Sequence, residues 1–202
     1  MNTTVITKTY NAPTVSEKDI LRYANCKSND TNIISIMREY LKEAENNIIY
    51  KVCYKEFPLI IENGVCNLGS LKINSDDLMI NLKDCDSVIL FAATIGVGID
   101  RLITRYSSVS PTKALFFQAI GAERIEALCD TFCSDIKEEY HAELKPRFSP
   151  GYGDLPLNFQ KDIFSCLDCE KCIGLYLNDS LLMSPSKSVT AFIGIKKSGV
   201  AL

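Results

Sequence analysis

Three sets of residues in this sequence carry side chains that could bind or transform something. The first is the run Arg147-Phe148-Ser149-Pro150-Gly151-Tyr152-Gly153-Asp154. Pro150 fixes φ and disfavours helix at Ser149. Gly151 and Gly153 admit positive φ and leave no Cβ between the backbone and a ligand. Arg147 presents a planar fork of donors matched to a carboxylate or a phosphate, and Tyr152 adds an aromatic face and a hydroxyl. Such a run is either a close-approach binding loop or a structural turn beside a surface arginine. The second set is Cys166, Cys169 and Cys172. Cys-x-x-Cys-x-x-Cys is three quarters of a bacterial ferredoxin run, yet Ile173-Gly174-Leu175 stand where the fourth cysteine and its proline belong. On a continuous helix each step of three residues turns about 300°, so three such thiols cannot all face one metal without unwinding it. The third is His141, the sole histidine. No Ser-His-Asp or Cys-His set can be assembled without it, and a zinc site would have to recruit a distant cysteine.

The elements that must hold these residues follow from periodicity. Pro111 suits the first turn of a helix, and the longest helical pattern runs from there to about Tyr140, ending in the charged stretch Asp135 to His141. Leu115, Ala119, Ala122, Ile125, Leu128-Cys129, Phe132 and Ile136 form its apolar stripe, with Glu123, Arg124, Glu126 and Asp130 between them. Gly121 costs about 1 kcal/mol against Ala in a helix interior, which points to a kink or a close packing contact. Leu157 to Cys172 reads as a further helix. Tyr176 to Leu182 leads into a turn at Met183-Ser184-Pro185, with Lys187-Ser188 beside it, and Ser188–Ile195 is a β-branched strand.

Upstream, Ser87–Ala93 reads as a buried strand running into Gly96-x-Gly98 and a helix through Tyr106. The third glycine of a dinucleotide fingerprint is replaced by Arg101. From Ile48 to Ile73 the period is two, with Asn63-Gly64 as a hairpin turn between strands Leu59–Ile61 and Val65–Ile73. Before that come an extended start at Thr4 to Thr9, a helix opened by Ser16 and Asp19, and a second helix capped by Asn29-Asp30-Thr31 with Ile33, Ile34, Met37, Leu41 and Ala44 on one face. Hairpins and long helices in this order give an α+β fold, a mainly antiparallel sheet with long helices packed around it. It reads as one unit over 1–202, with a helical N-terminal part (1–47) and an α+β core (48–202) carrying the loop at 147–154.

Composition narrows the classes. The chain has 202 residues, 47% hydrophobic and 23% charged, with a net charge of −3 and no basic stripe, which argues against nucleic acid as a partner. The near-apolar run Val88 to Ile99 is too short to span a bilayer, and Met1 to Pro13 lacks the apolar segment of a signal peptide. Nine cysteines without a secretion signal read as reduced thiols in a cytoplasmic protein.

The loop from Arg147 to Tyr152 resembles the Arg-x-x-x-Gly-Tyr loop of the activation domain of cobalamin-dependent methionine synthase, where it binds S-adenosylmethionine. The resemblance extends to Gln160-Lys161-Asp162-Ile163-Phe164, to the Ser-x-x-Met-x-Pro run Ser180–Pro185 followed by Ser188-Val189, and to Ala119-Ile120 and Glu126-Ala127, covering about 85 to 195. It implies that Glu126, Arg147, Ser149, Gly151, Tyr152 and Gly153 form an S-adenosylmethionine site. In that case Arg147 clamps the methionyl carboxylate, Gly151 gives backbone approach, Tyr152 packs on the adenosyl part, and Glu126 takes the amino group or a hydroxyl. Read from the helix alone, Glu126 is equally a residue of a solvated face.

The resemblance further implies reductive methylation. An electron from flavodoxin or ferredoxin and a methyl group from S-adenosylmethionine rescue inert cob(II)alamin. The sulfonium is a good leaving group, so the protein's part is positional. The family's full enzymes fuse this domain to cobalamin, homocysteine and folate modules, and none lies in these 202 residues. The cobalamin would therefore be carried by a separate methionine synthase or other corrinoid protein, of which this chain would be the reactivation component. The family's N-terminal acidic contact has no matched position, and its contacts beyond the Ile195 strand have no counterpart. Two rivals stand beside this reading: a non-catalytic module that docks on a corrinoid protein, and an iron–sulfur protein built on Cys166, Cys169 and Cys172.

Overall fold

A computed structural model of the protein describes residues 4–26 and 30–197. The chain opens with strand β1 (Ile6–Tyr10) and helix α1 (Glu17–Tyr23), whose first turn is capped by the Ser16 hydroxyl accepting from the Asp19 amide. Helix α2 (Thr31–Glu45) is capped by Asp30, which accepts from the amides of Asn32 and Ile33. Asn29, read with it as a cap, lies outside the described residues. Strand β2 (Tyr50–Pro58) follows, then the short strands β3 (Ile60–Glu62), β4 (Val65–Leu68) and β5 (Leu71–Ile73). Asn63 and Gly64, with φ of 52° and 77°, make the β3–β4 turn. The single strand expected over Val65–Ile73 is instead two, because Gly69 at φ 68° reverses the chain.

Helix α3 (Asp76–Asn81) was not legible as a separate element. It leads to strand β6 (Ser87–Thr94), helix α4 (Gly98–Tyr106), and the 30-residue helix α5 (Pro111–Tyr140). Strand β7 (Ala142–Leu144) leads to the Arg147 loop. Leu157 to Cys172 is not one helix: a 3-10 turn at Leu157–Phe159, helix α6 (Gln160–Leu167) and helix α7 (Cys169–Ile173) are separated by Asp168 at φ 46°. Strands β8 (Tyr176–Leu177), β9 (Met183–Ser184) and β10 (Ser188–Lys197) complete the chain.

The main sheet has five strands in the order β1-β2-β6-β10-β7, every pair antiparallel. No parallel βαβ unit exists among the described residues, so the Gly96-x-Gly98 turn has no dinucleotide-fold context. A Cβ on Gly98 would overlap the carbonyl of Asn47, so that glycine lets the turn pass the α2–β2 connection.

The central strands β2, β6 and β10 feed two cores by their alternation of side chains. Val52, Tyr54, Ile89, Phe91, Ala93, Ala191 and Ile193 pack under α1, α2, α4 and α5. Cys53, Phe57, Val88, Leu90, Ala92 and Phe192 pack against β4, β5, α3, α6 and α7. Burial on both faces explains the uninterrupted apolar run of β6, in which all eight residues are buried. The expected stripe on α5 needs correction at one end. Leu115 is 48% exposed, while Ala114, Phe116, Phe117 and Ile120 are buried, because helix α4 and the sheet cover two sides of α5 rather than one.

Candidate functional site

After β7 the chain continues beside β10 as an extended edge. The Lys145 amide donates to the Gly194 carbonyl, and Phe148 and Phe192 exchange backbone bonds of 3.0 and 2.8 Å. Phe148 joins the core beneath α6, so Arg147, one residue earlier, faces the other side of the sheet, towards α5. There its Nη2 donates to Glu126 Oε2 at 2.8 Å and lies 3.1 Å from Asp130 Oδ1. Glu126 and Asp130 are one helical turn apart, so one guanidinium spans both. Arg147 Nη1 is buried and has no hydrogen-bond partner among the described residues.

The loop then turns sharply. The Tyr152 amide donates to the Ser149 carbonyl at 3.1 Å, with Pro150 at the second position and Gly151 at the third, φ 93°. This is the type II turn that Pro-Gly favours. The Gly151 amide donates to the Leu155 carbonyl at 2.8 Å and closes the loop on itself. Tyr152 is 61% exposed, its ring edge-on to Phe148 with centroids 6.3 Å apart. Gly153 serves a different purpose from the one expected. The space its Cβ would fill is occupied by Asp77, whose Cγ is 2.8 Å from that position, so the missing side chain makes room for Asp77 on that side.

Asp154 reaches back to α3. Its carboxylate accepts from the Ser75 hydroxyl and from the amides of Asp76 and Asp77, while Asp77 accepts from the Asp154 amide. The Ser75 hydrogen bond, with the amides after it, holds the Asp154 carboxyl below its ordinary range. The loop is thus pinned at both ends, to β10 and to α3.

Beneath Arg147 lie two thiols of α5. Burial pushes the Cys129 thiol well above its ordinary value and Cys133 up to about 11, against the pull of the Arg147 charge. Both stay protonated at neutral pH.

On the other side of Glu126 and Asp130, a cleft of about 480 Å³ separates α5 from α1 and the strap before it, with Ser16, Asp19 and Glu123 on its walls. Behind this wall sits a group that spacing did not reveal. Arg124 is fully buried, and Glu123 beside it is 4% exposed at its side chain. By spacing alone both read as polar residues between the apolar positions of α5. The only sequence signal was their position within one turn of Ile120 and Ile125, on a face that elsewhere is core.

The remaining sequence-based candidates are dispersed. Ser188 donates to the Pro185 carbonyl and pairs with Thr94, so its hydroxyl is spent internally. Lys187 lies along α5 where Gly121 has no side chain, its Cε 3.0 Å from the position of a Cβ; α5 meets this close contact without a break. His141 caps α5 in the left-handed region and is exposed. Cys169 is buried in the core, and Cys166 and Cys172 are half-buried on either side of the Asp168 break. Among the described residues no group of three or more His, Cys, Asp or Glu side chains is placed to hold a metal ion. Nor is any described helix long and apolar enough to cross a membrane.

An antiparallel five-stranded sheet, a 30-residue helix across one face and an arginine loop clipped to the sheet edge define an α+β domain of the reactivation-domain architecture. The fold is similar to that of a crystal structure of the MetH reactivation domain bound to AdoHcy, which superposes with a TM-score of 0.68 at 14% identity over 98% of this chain and 80% of that one. The chain belongs to the family of vitamin B12 dependent methionine synthase activation domains, whose family model matches residues 2–199. No curated protein matches it.

Proposed function

We propose that this protein binds S-adenosylmethionine between the Arg147 loop and α5 and presents its methyl group to a cobalamin carried by a separate methionine synthase or other corrinoid protein. The observation that carries the proposal is Arg147: a guanidinium fixed by Glu126 and Asp130 with Nη1 buried and unpaired. A buried donor without a partner costs about 1–3 kcal/mol, and a ligand carboxylate that displaces the side chains covering Nη1 would satisfy it. Membership in the family and likeness to a reactivation domain solved with AdoHcy support the same reading.

The amino-acid end of the ligand is a zwitterion, and the site offers both complements. Arg147 takes the carboxylate. Glu126, 46% exposed at its side chain, takes the ammonium or a ribose hydroxyl. Ser149 and the Pro150-Gly151 turn supply a rigid backbone edge, and Tyr152 offers its exposed face to the adenosyl group. Gly153 contributes by letting the loop lie against Asp77. A partner's cobalamin, reduced by an electron from flavodoxin or ferredoxin, would supply the nucleophile that accepts the methyl group, and S-adenosylhomocysteine would leave with the electron pair of the carbon–sulfur bond. No acid or base is needed at sulfur, and the protein acts by holding the methyl group in line.

Calorimetric titration with S-adenosylmethionine and S-adenosylhomocysteine tests the reading, with Arg147→Ala as control. Losing a charge-assisted contact worth about 1.5–3 kcal/mol weakens affinity by roughly 10- to 150-fold. Wild-type protein that binds neither compound at millimolar concentration would favour a docking module over a ligand-binding domain.

A further inference from the structure

Arg124 has five N–H donors, and each is used. Nε donates to Glu123 Oε2 at 2.5 Å, and Nη2 donates to Glu123 Oε1 at 2.6 Å and to the Thr14 carbonyl at 2.9 Å. Nη1 donates to the Pro13 carbonyl at 2.7 Å and to Glu45 Oε1 at 3.3 Å. Glu123 Oε1 also accepts from the Ser16 amide at 2.8 Å, and Glu45 is held in turn by the Tyr50 hydroxyl at 2.9 Å. Three of these bonds therefore run from a buried ion pair on α5 to one stretch of backbone, residues 13–16. That strap has no strand or helix of its own. It connects β1 to α1 and, with Ser16 and Asp19, forms the wall of the cleft that faces Glu126 and Asp130.

Buried ion pairs are poor stabilisers, because the cost of desolvating two charges nearly cancels their attraction and a well-packed apolar pair often does as well. Filling this position on α5 therefore does not require charge. What the charges do, and leucine or methionine could not, is direct donors and an acceptor at chosen backbone groups of a segment otherwise held only by the Val15 side chain and the Ser16 cap of α1. A preorganised wall saves the ordering cost that a loose strap would levy on each binding event.

We infer that Glu123 and Arg124 are positioning residues for the Glu126 side of the ligand site: a buried latch that holds the 13–16 strap at a fixed distance from Glu126, which pairs with Arg147 on one side and lines this cleft on the other, and so sets how far a ligand held by Arg147 can extend across α5. The inference rests on the ligand reading above. Its test is the doubly apolar variant Glu123→Met/Arg124→Met, which keeps the volume filled and removes all three strap bonds. Two readouts are taken on the full chain: hydrogen exchange of the amides of residues 14–19, and calorimetric affinity for S-adenosylhomocysteine. Faster strap exchange with affinity reduced by about tenfold or more, at an unchanged far-ultraviolet spectrum, is the expected result. Lys113→Met serves as control on the same helix; Lys113 pairs with Glu43 at 2.6 Å and lies 4.3 Å from the Tyr106 ring centroid, outside the cleft, and its loss leaves affinity unchanged. Wild-type affinity retained in the double variant, whether or not the strap exchanges faster, overturns the latch and leaves the ligand reading standing. Wild-type protein that binds neither nucleoside overturns both.

Discussion

The Glu123–Arg124 pair makes a prediction about stability that separates two physical accounts of a buried charge. Replacing Arg124 alone with methionine leaves the Glu123 carboxylate, 4% exposed, without the group that neutralises it. Breaking a buried pair from one side costs roughly 3–5 kcal/mol. For a protein of about 200 residues each kcal/mol lowers Tm by about 2–4 °C, so Arg124→Met should melt roughly 6–20 °C below wild type. Glu123→Met should do the same by stranding the guanidinium. The double variant strands neither. The Thr14 carbonyl is on an exposed residue and Pro13 is half-buried, so water can replace the lost donors there. The double variant should therefore lie within about 2 kcal/mol of wild type, giving a coupling of at least about 4 kcal/mol between two adjacent sites. Reversible chemical denaturation of the four proteins measures it. Single-variant losses that add to the double-variant loss within about 0.5 kcal/mol would show that the two side chains act independently, and would refute the view of the pair as a mutually neutralised unit.

Two further outcomes follow from the geometry. Alanine at Gly153 meets both a positive φ of 52° and the Asp77 carboxylate in the space of its Cβ. A cost of roughly 2–4 kcal/mol is expected from strain plus overpacking, with the Asp154–Ser75 clip opened, read as a lower denaturation midpoint and faster exchange of the Asp76 and Asp77 amides. Alkali should destabilise the fold through its thiols. Burial raises Cys133 from 9.0 to about 11 and also raises Cys66, Cys129 and Cys166. A raised thiol contributes stability that is complete below its unfolded value and is lost as pH climbs towards the folded one. Unfolding free energy should therefore be flat from pH 7 to about 8.5 and fall above pH 9, by up to about 1.4 kcal/mol per pH unit for each buried thiol; a midpoint unchanged between pH 8 and 10.5 would contradict it.

The sequence by itself determined what local chemistry can encode. Ser16 and Asp30 cap their helices, Asn63-Gly64 turns its hairpin, Pro111 starts α5, and Pro150-Gly151 makes a type II turn, since each depends on φ preferences and hydrogen bonds within a few residues. The apolar run of β6 and the period-two stretch of β2 likewise announced an antiparallel α+β core. The Arg147–Tyr152 pattern pointed to the loop as the candidate site, and the resemblance added Glu126 to it without indicating that the two side chains pair.

Tertiary structure decided what lies between distant segments. Asp130 joins Glu126 on Arg147 because two turns of α5 pass over the sheet edge where Arg147 emerges. Gly153 proved to be spoken for by Asp77, 76 positions earlier, through a helix that was not anticipated. The Leu157–Cys172 helix broke at Asp168, placing Cys169 in the core and leaving its neighbours on separate helices. Above all, Glu123 and Arg124 read with Glu126 and Asp130 as polar residues between the apolar positions of α5; the strap that buries them comes from more than 100 residues away. A side chain's charge is legible in its own codon, but whether that charge is solvated, paired or used to hold another segment depends on which backbone the fold lays over it.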